Sequence, residues 1–230
     1  MIKGKKVTAI LPAAGIGKRM GVGSKKQFLE VHGKPILVHT LEKFHHAIYV
    51  DEVILVLQNE WIPFVQEEII GPYGFSRIHT LVPGGTERQD SVYEGLKAVE
   101  ESDIVLVHDA VRPCVRADKI DELIEITVEY SAAILAVRPK DTIKQQDANG
   151  FVARTIDRNT LWNVQTPQAF QYSLLRSAFD KAYAENYYGT DEAMLIERIG
   201  HAVKIVEGHY DNIKITTPED LALAERFLKH

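Results

Sequence analysis

Several scarcities in this chain each close off a class of protein. It carries one cysteine, Cys114, in 230 residues. An internal disulfide framework is therefore impossible, and a reducing, cytoplasmic setting is expected. No apolar run approaches the roughly 18 residues that a membrane span needs. The opening Met1-Ile2-Lys3-Gly4-Lys5-Lys6 leads into a strand-like run without the apolar core or cleavage site of a signal peptide. Positive charge is not in excess: 27 Lys and Arg stand against 32 Asp and Glu, a formal net charge of −5. That balance argues against nucleic acid or an anionic membrane as partner. An anionic small molecule would instead need a local cluster of cations. Internal repeats, low-complexity tracts and linker-like segments are also missing.

What is present is ordinary globular composition, 45% hydrophobic and 26% charged. A chain of this length can bury one full core, so a single domain over 1–230 is expected. Short apolar, β-branched runs recur at Val7–Leu11, Glu52–Leu57, Arg77–Val82, Asp103–His108, Ala132–Val137, Ala202–Glu207 and Asn212–Thr216. Several are apolar nearly throughout, as in strands covered on both faces. Helix-period segments lie between them at Ile36–Phe44, Ile62–Ile70, Gln89–Val99, Lys119–Tyr130, Ser173–Glu185 and Asp191–Ile199. Start signals come from Pro35, from Ser91 with Glu94 in capping-box spacing, and from Thr190. A last helix is expected after Thr217-Pro218-Glu219-Asp220. Alternation of this kind predicts an α/β fold, a Rossmann-like and mostly parallel sheet with helices on both faces. Ligands then belong beyond the carboxyl ends of the strands.

One stretch breaks the rhythm. From about 139 to 165 helical period is lost, and Asp147-Ala148-Asn149-Gly150 reads as a turn between Thr142–Gln146 and Phe151–Ile156. Such a β-hairpin arm has little surface to bury against its own domain. It fits either a docking element for a second subunit or an exposed edge.

After the first strand comes Pro12-Ala13-Ala14-Gly15-Ile16-Gly17-Lys18-Arg19-Met20-Gly21. Small residues let backbone N–H groups approach a phosphate, and Lys18, Arg19, Lys25 and Lys26 offer matching charge. A Walker A motif needs Ser or Thr after Gly-Lys, but Arg19 follows Gly17-Lys18. A dinucleotide fingerprint needs a third glycine where Met20 stands. The expectation is a nucleoside triphosphate site of another kind.

Together with Lys26-Gln27-Phe28-Leu29, this loop resembles the opening of sugar-nucleotide pyrophosphorylases and cytidylyltransferases. Further segments narrow the likeness: Gly84-Gly85-Thr86-Glu87-Arg88-Gln89-Asp90-Ser91-Val92, His108-Asp109-Ala110-Val111-Arg112-Pro113, Asp157-Arg158-Asn159, Gln165-Thr166-Pro167-Gln168, Thr190-Asp191-Glu192-Ala193 and Asp211-Asn212-Ile213-Lys214-Ile215-Thr216. In this order, from about residue 7 to 229, they resemble the 2-C-methyl-D-erythritol 4-phosphate cytidylyltransferase family of the non-mevalonate isoprenoid pathway.

The resemblance implies transfer of CMP from CTP to 2-C-methyl-D-erythritol 4-phosphate, giving 4-diphosphocytidyl-2-C-methyl-D-erythritol and pyrophosphate. It also implies a divalent metal, usually Mg²⁺, and a homodimer whose arm reaches the partner's active site. Arg19 and Lys26 match the catalytic cations that clamp the triphosphate. Ala13, Ala14, Gly15, Gly17, Gly84, Gly85, Thr86, Ser91 and Arg112 match the nucleotide side; Arg112 is expected to steady the site, with a purely structural salt bridge its alternative reading. Thr142, Arg158, Thr166, Thr190 and Lys214 match the acceptor side. Asp109, after the run Ile104–Val107, and Asp211, before Ile213–Ile215, match the metal ligands; hard Mg²⁺ favours such oxygens. His108 is expected to be packed or hydrogen-bonded rather than metal-bound, and Cys114 a small buried side chain. Two positions depart from the pattern: Lys25 stands where the family often has proline, and Thr86 where some relatives carry an acid.

The chemistry agrees with what is missing. A phosphate monoester is largely dianionic at pH 7, its second pKa being about 6, so no general base is needed and no Ser/His/Asp or Cys/His set is seen. Two other readings compete. A ribitol phosphate or other polyol-phosphate cytidylyltransferase would tend to open with Gly-Gly where this chain has Ala13-Ala14. A non-catalytic nucleotide-binding module would not need both aspartates together with Arg158, Thr190 and Lys214.

Overall fold

Period-two alternation within the central strands decides which helices cover which face. In the computed structural model, which describes residues 1–15 and 25–229, the strands are β1 (Val7–Pro12), β2 (Glu30–Val31), β3 (Lys34–Pro35), β4 (Glu52–Leu57), β5 (Ile78–Pro83), β6 (Ile104–Val107), β7 (Ala132–Val137), β8 (Ile143–Gln146), β9 (Val152–Ile156), β10 (Asn163–Gln171) and β11 (Lys204–Glu207). The helices are α1 (Ile36–His46), α2 (Ile62–Val65), α3 (Gly71–Tyr73), α4 (Arg88–Lys97), α5 (Ala117–Tyr130), α6 (Tyr172–Ala184), α7 (Glu192–Arg198) and α8 (Pro218–Phe227). Val7, Ala9 and Leu11 of β1 join Leu55 and Leu106 in a core with Leu41 and Phe44 of α1 and Leu123 of α5. Ile10, Val56 and Val105, one residue out of phase, join Val92 and Leu96 of α4 and Phe179 of α6 in the opposite core. The sheet is thus covered on both faces, as the apolar runs require.

Seven strands form that sheet in the order β11-β7-β10-β6-β1-β4-β5. The neighbours β6, β1, β4 and β5 run parallel, as do β11 and β7. Only β10 is antiparallel to both of its neighbours, β6 and β7. The chain leaves β1 toward β4 and β5, then returns to β6 on the other side of β1. That reversal opens a crevice at the carboxyl ends of these four strands.

The sequence reading needs correction in four places. Strand β10 was not foreseen, because Pro167 and three polar residues, Gln165, Thr166 and Gln168, interrupt its apolar pattern. Pro167 falls in the register break between Val164 and Gln168, where a missing N–H costs no ladder bond. The two glutamines are buried but satisfied: the Gln165 amide donates to the His209 carbonyl at 2.8 Å, and that of Gln168 to the Asp191 carboxylate at 2.9 Å. Conversely, Asn212–Thr216 is irregular rather than a strand. Its end is held by the Asp220 carboxylate, which accepts from the Thr216 and Thr217 N–H groups at 2.8 and 2.9 Å. The α4 cap is the box of Glu87 with Asp90, not Ser91 with Glu94. Asp191, not Thr190, caps α7 by accepting from the Met194 N–H at 3.0 Å.

The arm is a separate two-stranded sheet of β8 and β9. Its turn is organised by Asp147, whose carboxylate accepts from the N–H groups of Asn149 and Phe151, both at 2.9 Å. Phe151 and Val152 at its tip are 72% and 63% exposed.

Helix α4 carries the sequence toward the crevice, and its approach depends on Gly95. A β-carbon there would stand 2.5 Å from the Ile10 methyl and 3.0 Å from a Val56 methyl. Gly95→Val should therefore destabilise the fold by about 1–3 kcal/mol through overpacking, read as a fall in the urea midpoint, whereas Ala98→Val at the helix end should change it little.

Candidate active site

A cavity of about 550 Å³ lies at the carboxyl ends of β1, β4, β5 and β6. Ala13, Ala14 and Gly15 enter it after β1, Gln58 after β4, Gly84 to Arg88 after β5, and Asp109 and Val111 after β6. Lys26, Gln27, Lys214 and Thr216 complete the lining, and the Lys26 ammonium donates to the Ile215 carbonyl at 3.4 Å.

Hydrogen bonds to the sheet edge fix the small-residue wall. The Ala13 N–H donates to the Val56 carbonyl at 2.7 Å and the Gly84 N–H to that of Leu57 at 2.7 Å. The buried Gln27 amide donates to the Ala13 carbonyl at 3.0 Å. Ser91 accepts from the Gly85 N–H at 3.2 Å and donates to the Glu87 carbonyl at 3.1 Å. Gly84 must lack a side chain, since a β-carbon would sit 2.5 Å from that of Ala14 and 2.9 Å from the Ser91 hydroxyl. Close packing of small residues leaves a smooth surface for a flat ring, flanked by backbone groups.

A buried charge network adjoins this wall through Arg88. Asp109 accepts from the Arg88 guanidinium at 3.0 Å and pairs with the Lys214 ammonium at 2.8 Å and with Arg112 at 3.6 Å. Burial alone would raise the Asp109 carboxyl; the Arg88, Lys214 and Arg112 cations outweigh it and hold it far below the usual carboxylate range. Arg88 also makes a two-pronged contact with Glu192, the buried first residue of α7, at 2.7 and 3.1 Å. Burial opposes the Arg88 charge, but Glu192 and Asp109 hold it protonated. Arg112 donates to the Asn212 carbonyl at 2.7 Å. In this way α4, the loop after β6 and the 212–216 segment meet at one carboxylate, and α7 joins them through Arg88.

His108, beside Asp109, is fully buried, with its ring centroid 5.0 Å from that of Phe44. Burial lowers its pKa to about 3. The Thr166 hydroxyl accepts from the Asp109 N–H at 3.1 Å and stands 3.1 Å from His108 Nδ1. It therefore donates to Nδ1, leaving Nε2–H to donate to the Arg112 carbonyl at 3.1 Å. The imidazole is neutral and locked, a packing element rather than an acid. The Cys114 thiol, likewise buried, is pushed up to about 12 by burial and by nearby Asp211.

The profile of the IspD family, 2-C-methyl-D-erythritol 4-phosphate cytidylyltransferase, matches residues 7–230. The chain belongs to this family. It is 46% identical over 227 residues to the 2-C-methyl-D-erythritol 4-phosphate cytidylyltransferase of Geotalea uraniireducens, covering 97% of both chains. To that of Geobacillus kaustophilus it is 50% identical over 222 residues, covering 96% of each. The crystal structure of 4-diphosphocytidyl-2C-methyl-D-erythritol synthase from Anaerococcus prevotii superimposes with a TM-score of 0.89 at 35% identity, over 100% of this chain and 98% of that one. The chain is accordingly a cytidylyltransferase, joining CMP from CTP to 2-C-methyl-D-erythritol 4-phosphate in isoprenoid precursor synthesis.

Measured against that family, the structure gathers part of the expected set. Ala13, Ala14, Gly15, Lys26, Gly84, Gly85, Thr86, Ser91, Asp109 and Lys214 line the cavity, and Thr166 and Arg112 touch Asp109 from behind. Gly17 and Arg19 lie outside the described residues. Thr190 is exposed just before α7, its hydroxyl 3.8 Å from the Met194 sulfur. Thr142 and Arg158 are exposed, and Arg158 lines a separate cavity with Arg138 and Lys140. Asp211 does not line the Asp109 cavity. Its Oδ1 is buried without a hydrogen-bond partner among the described residues, near Cys114 and Arg116. Arg88, Glu192 and Gln27 lie within the motifs of the resemblance, yet the sequence reading gives them no role in the site. A charged side chain inside a glycine-rich segment was the available signal for Arg88.

Arg88→Met would leave Glu192 buried and unpaired, and should cost about 3–5 kcal/mol of stability. The thermal midpoint should fall, with part of the loss recovered in Arg88→Met combined with Glu192→Gln; an unchanged midpoint would mean the pair carries no weight.

Proposed function

We propose that the cavity binds CTP with its base on the Ala13–Ala14 and Gly84–Ser91 wall and its phosphates toward Lys26 and Lys214. The observation that carries this is the juxtaposition, in one cavity, of a small-residue wall with open space beside it and of two lysines and an arginine. An acceptor phosphate oxygen attacks the α-phosphorus of CTP; a new P–O bond forms as the bond to the β-phosphate bridging oxygen breaks, and pyrophosphate leaves with the electron pair. The dianionic acceptor needs no base, so these residues contribute positioning and charge neutralisation. Lys26 faces the triphosphate, while Lys214, anchored by Asp109, presents its ammonium between nucleotide and acceptor. Thr166 holds the Asp109 backbone and Thr190 stands at the acceptor side. Arg19 and Gly17 belong to the same reading.

Of the two expected metal ligands Asp109 lines the cavity; its oxygens meet Arg88 and Lys214, so a divalent ion would share Asp109 with these cations or displace the Lys214 ammonium. Asp109 is an ionised carboxylate lining the cavity, and Mg²⁺ is held well by one carboxylate with phosphate oxygens and water. When bound it would neutralise triphosphate charge. The position of Asp211 away from that lining gives no support to its forming a pair with Asp109.

Among the described residues, Thr142 and Arg158 are not part of the cavity lining. Their assignment to the acceptor makes sense if the arm inserts into a second copy, which would also cover Phe151 and Val152. We take a homodimer joined through this arm as the working assembly. Among the described residues no helix is long and apolar enough to cross a membrane, and action in the cytoplasm fits the lone buried cysteine.

Incubation with CTP, Mg²⁺ and 2-C-methyl-D-erythritol 4-phosphate should release pyrophosphate; release with ribitol phosphate alone would reassign the acceptor. Lys26→Ala should leave the thermal midpoint in place and cut turnover on the order of a hundredfold, as expected for one lost charge-assisted contact. Replacing 143–156 by a short glycine linker should weaken the dimer in sedimentation and raise the KM of the acceptor much more than that of CTP. A fully active monomer would exclude the shared site.

A further inference from the structure

The turn that presents Lys26 to the cavity is three residues long, Lys26–Phe28, and has no side-chain cap. It needs support from elsewhere to hold a cation in place. Both of its flanks meet the same residue. Before the turn, the Lys25 ammonium stands 3.1 Å from the centroid of the Trp61 ring and 3.3 Å from the Glu60 carboxylate. The Trp61 indole N–H donates to that same Glu60 oxygen at 2.8 Å, so one carboxylate orients the ring and the ammonium together. At the end of the turn, the Phe28 ring lies 5.2 Å from Trp61 and 5.3 Å from Phe64, and Trp61 and Phe64 meet edge-on at 5.7 Å. Between these flanks Gln27 is pinned to the Ala13 carbonyl at 3.0 Å.

We infer that Trp61 and Lys25 form a latch that positions Lys26 for the transfer reaction. A cation over an indole face is attracted by the ring quadrupole, and offset or edge-on aromatic pairs add packing. The segment 59–65 follows β4 directly, so the latch ties the Lys26 turn to the sheet. Where proline stands before such a turn, the backbone dihedral is fixed covalently. Lys25, at φ −86°, stands about 20° from the proline value of about −65°, and this chain holds the turn through side-chain contacts. The inference depends on Lys26 facing the triphosphate, as proposed above, and assigns Trp61 and Lys25 no contact with substrate.

The test compares the full-length enzyme with Lys26→Ala, Trp61→Leu, Lys25→Met, and the double variant Trp61→Leu with Lys25→Pro, by steady-state kinetics and thermal melts. Trp61→Leu should lower kcat about tenfold and Lys25→Met about threefold, with the KM of the acceptor unchanged. Lys25→Pro in the Trp61→Leu background should recover most of the lost kcat, a rescue that general damage to the fold would not show. Wild-type kcat in both single variants, alongside an inactive Lys26→Ala, would overturn the latch while leaving the role of Lys26 standing. Loss in Trp61→Leu without rescue by Lys25→Pro would also overturn it. Full activity of Lys26→Ala would instead remove the reading on which it depends.

Discussion

Asp109 is a carboxylate buried at the carboxyl edge of β6, and such a group keeps its charge only when cations are brought to it. Three come, each from a different stretch: Arg88 from the start of α4, Arg112 from the loop after β6, and Lys214 from the irregular segment before α8. Glu192 then answers Arg88. Three positive and two negative groups leave one net positive charge beside the cavity. The network thereby arranges the loops around the cavity through the folding energetics of the chain itself. Little reorganisation is left for the moment of reaction, which is the condition under which electrostatic stabilisation is most effective.

Much of the frame was legible because it follows from local rules. Strands β1, β4 and β7 are buried on both faces, and their apolar runs announced them to within a residue. The Asp147-Ala148-Asn149-Gly150 turn does its work through a side chain bonding two residues onward, a strictly local device. Strand β10 was not legible for the opposite reason. It is antiparallel between two neighbours and broken by a register shift, and its buried glutamines are satisfied by groups 23 to 44 residues away. No periodicity in the sequence records such partners. Asn212–Thr216 misled in the reverse direction: its apolar residues are buried by α8 and the loop after β6, with Ile215 in a core beside Val111 and Ala224, so burial produced a strand-like pattern without a strand.

The site divides along the same line. Glycine and alanine positions were readable because close backbone approach restricts the residue type locally. Arg88 and Glu192 were not, because their meaning lies in a pairing 104 residues apart. Asp109 and Lys214 were read as ligand and substrate contact, and the structure adds that they bind each other. The 2.8 Å pair means that neither acts alone: the carboxylate that would attract a metal also sets the position of the ammonium. Asp211, next in the chain to Asn212, is not in the cavity lining, although Lys214 three residues on is; in an irregular segment, neighbouring motif positions need not face the same way.

The choice of cation at each place follows from this arrangement. Arg88 must satisfy Glu192 with two parallel bonds while a third N–H reaches Asp109, and only a planar fork can do so. Arg112 combines Asp109 with a backbone carbonyl and is correspondingly fixed. Both arginines therefore act as framework. In the proposed reading Lys26 and Lys214, compact charges on flexible stems, are the groups that meet the phosphate oxygens, Lys214 from its seat on Asp109. Exchanging the types would remove the fork where rigidity is needed and place it where adjustment is needed. In that reading the division between guanidinium and ammonium is a division between what holds the cavity and what meets the substrate.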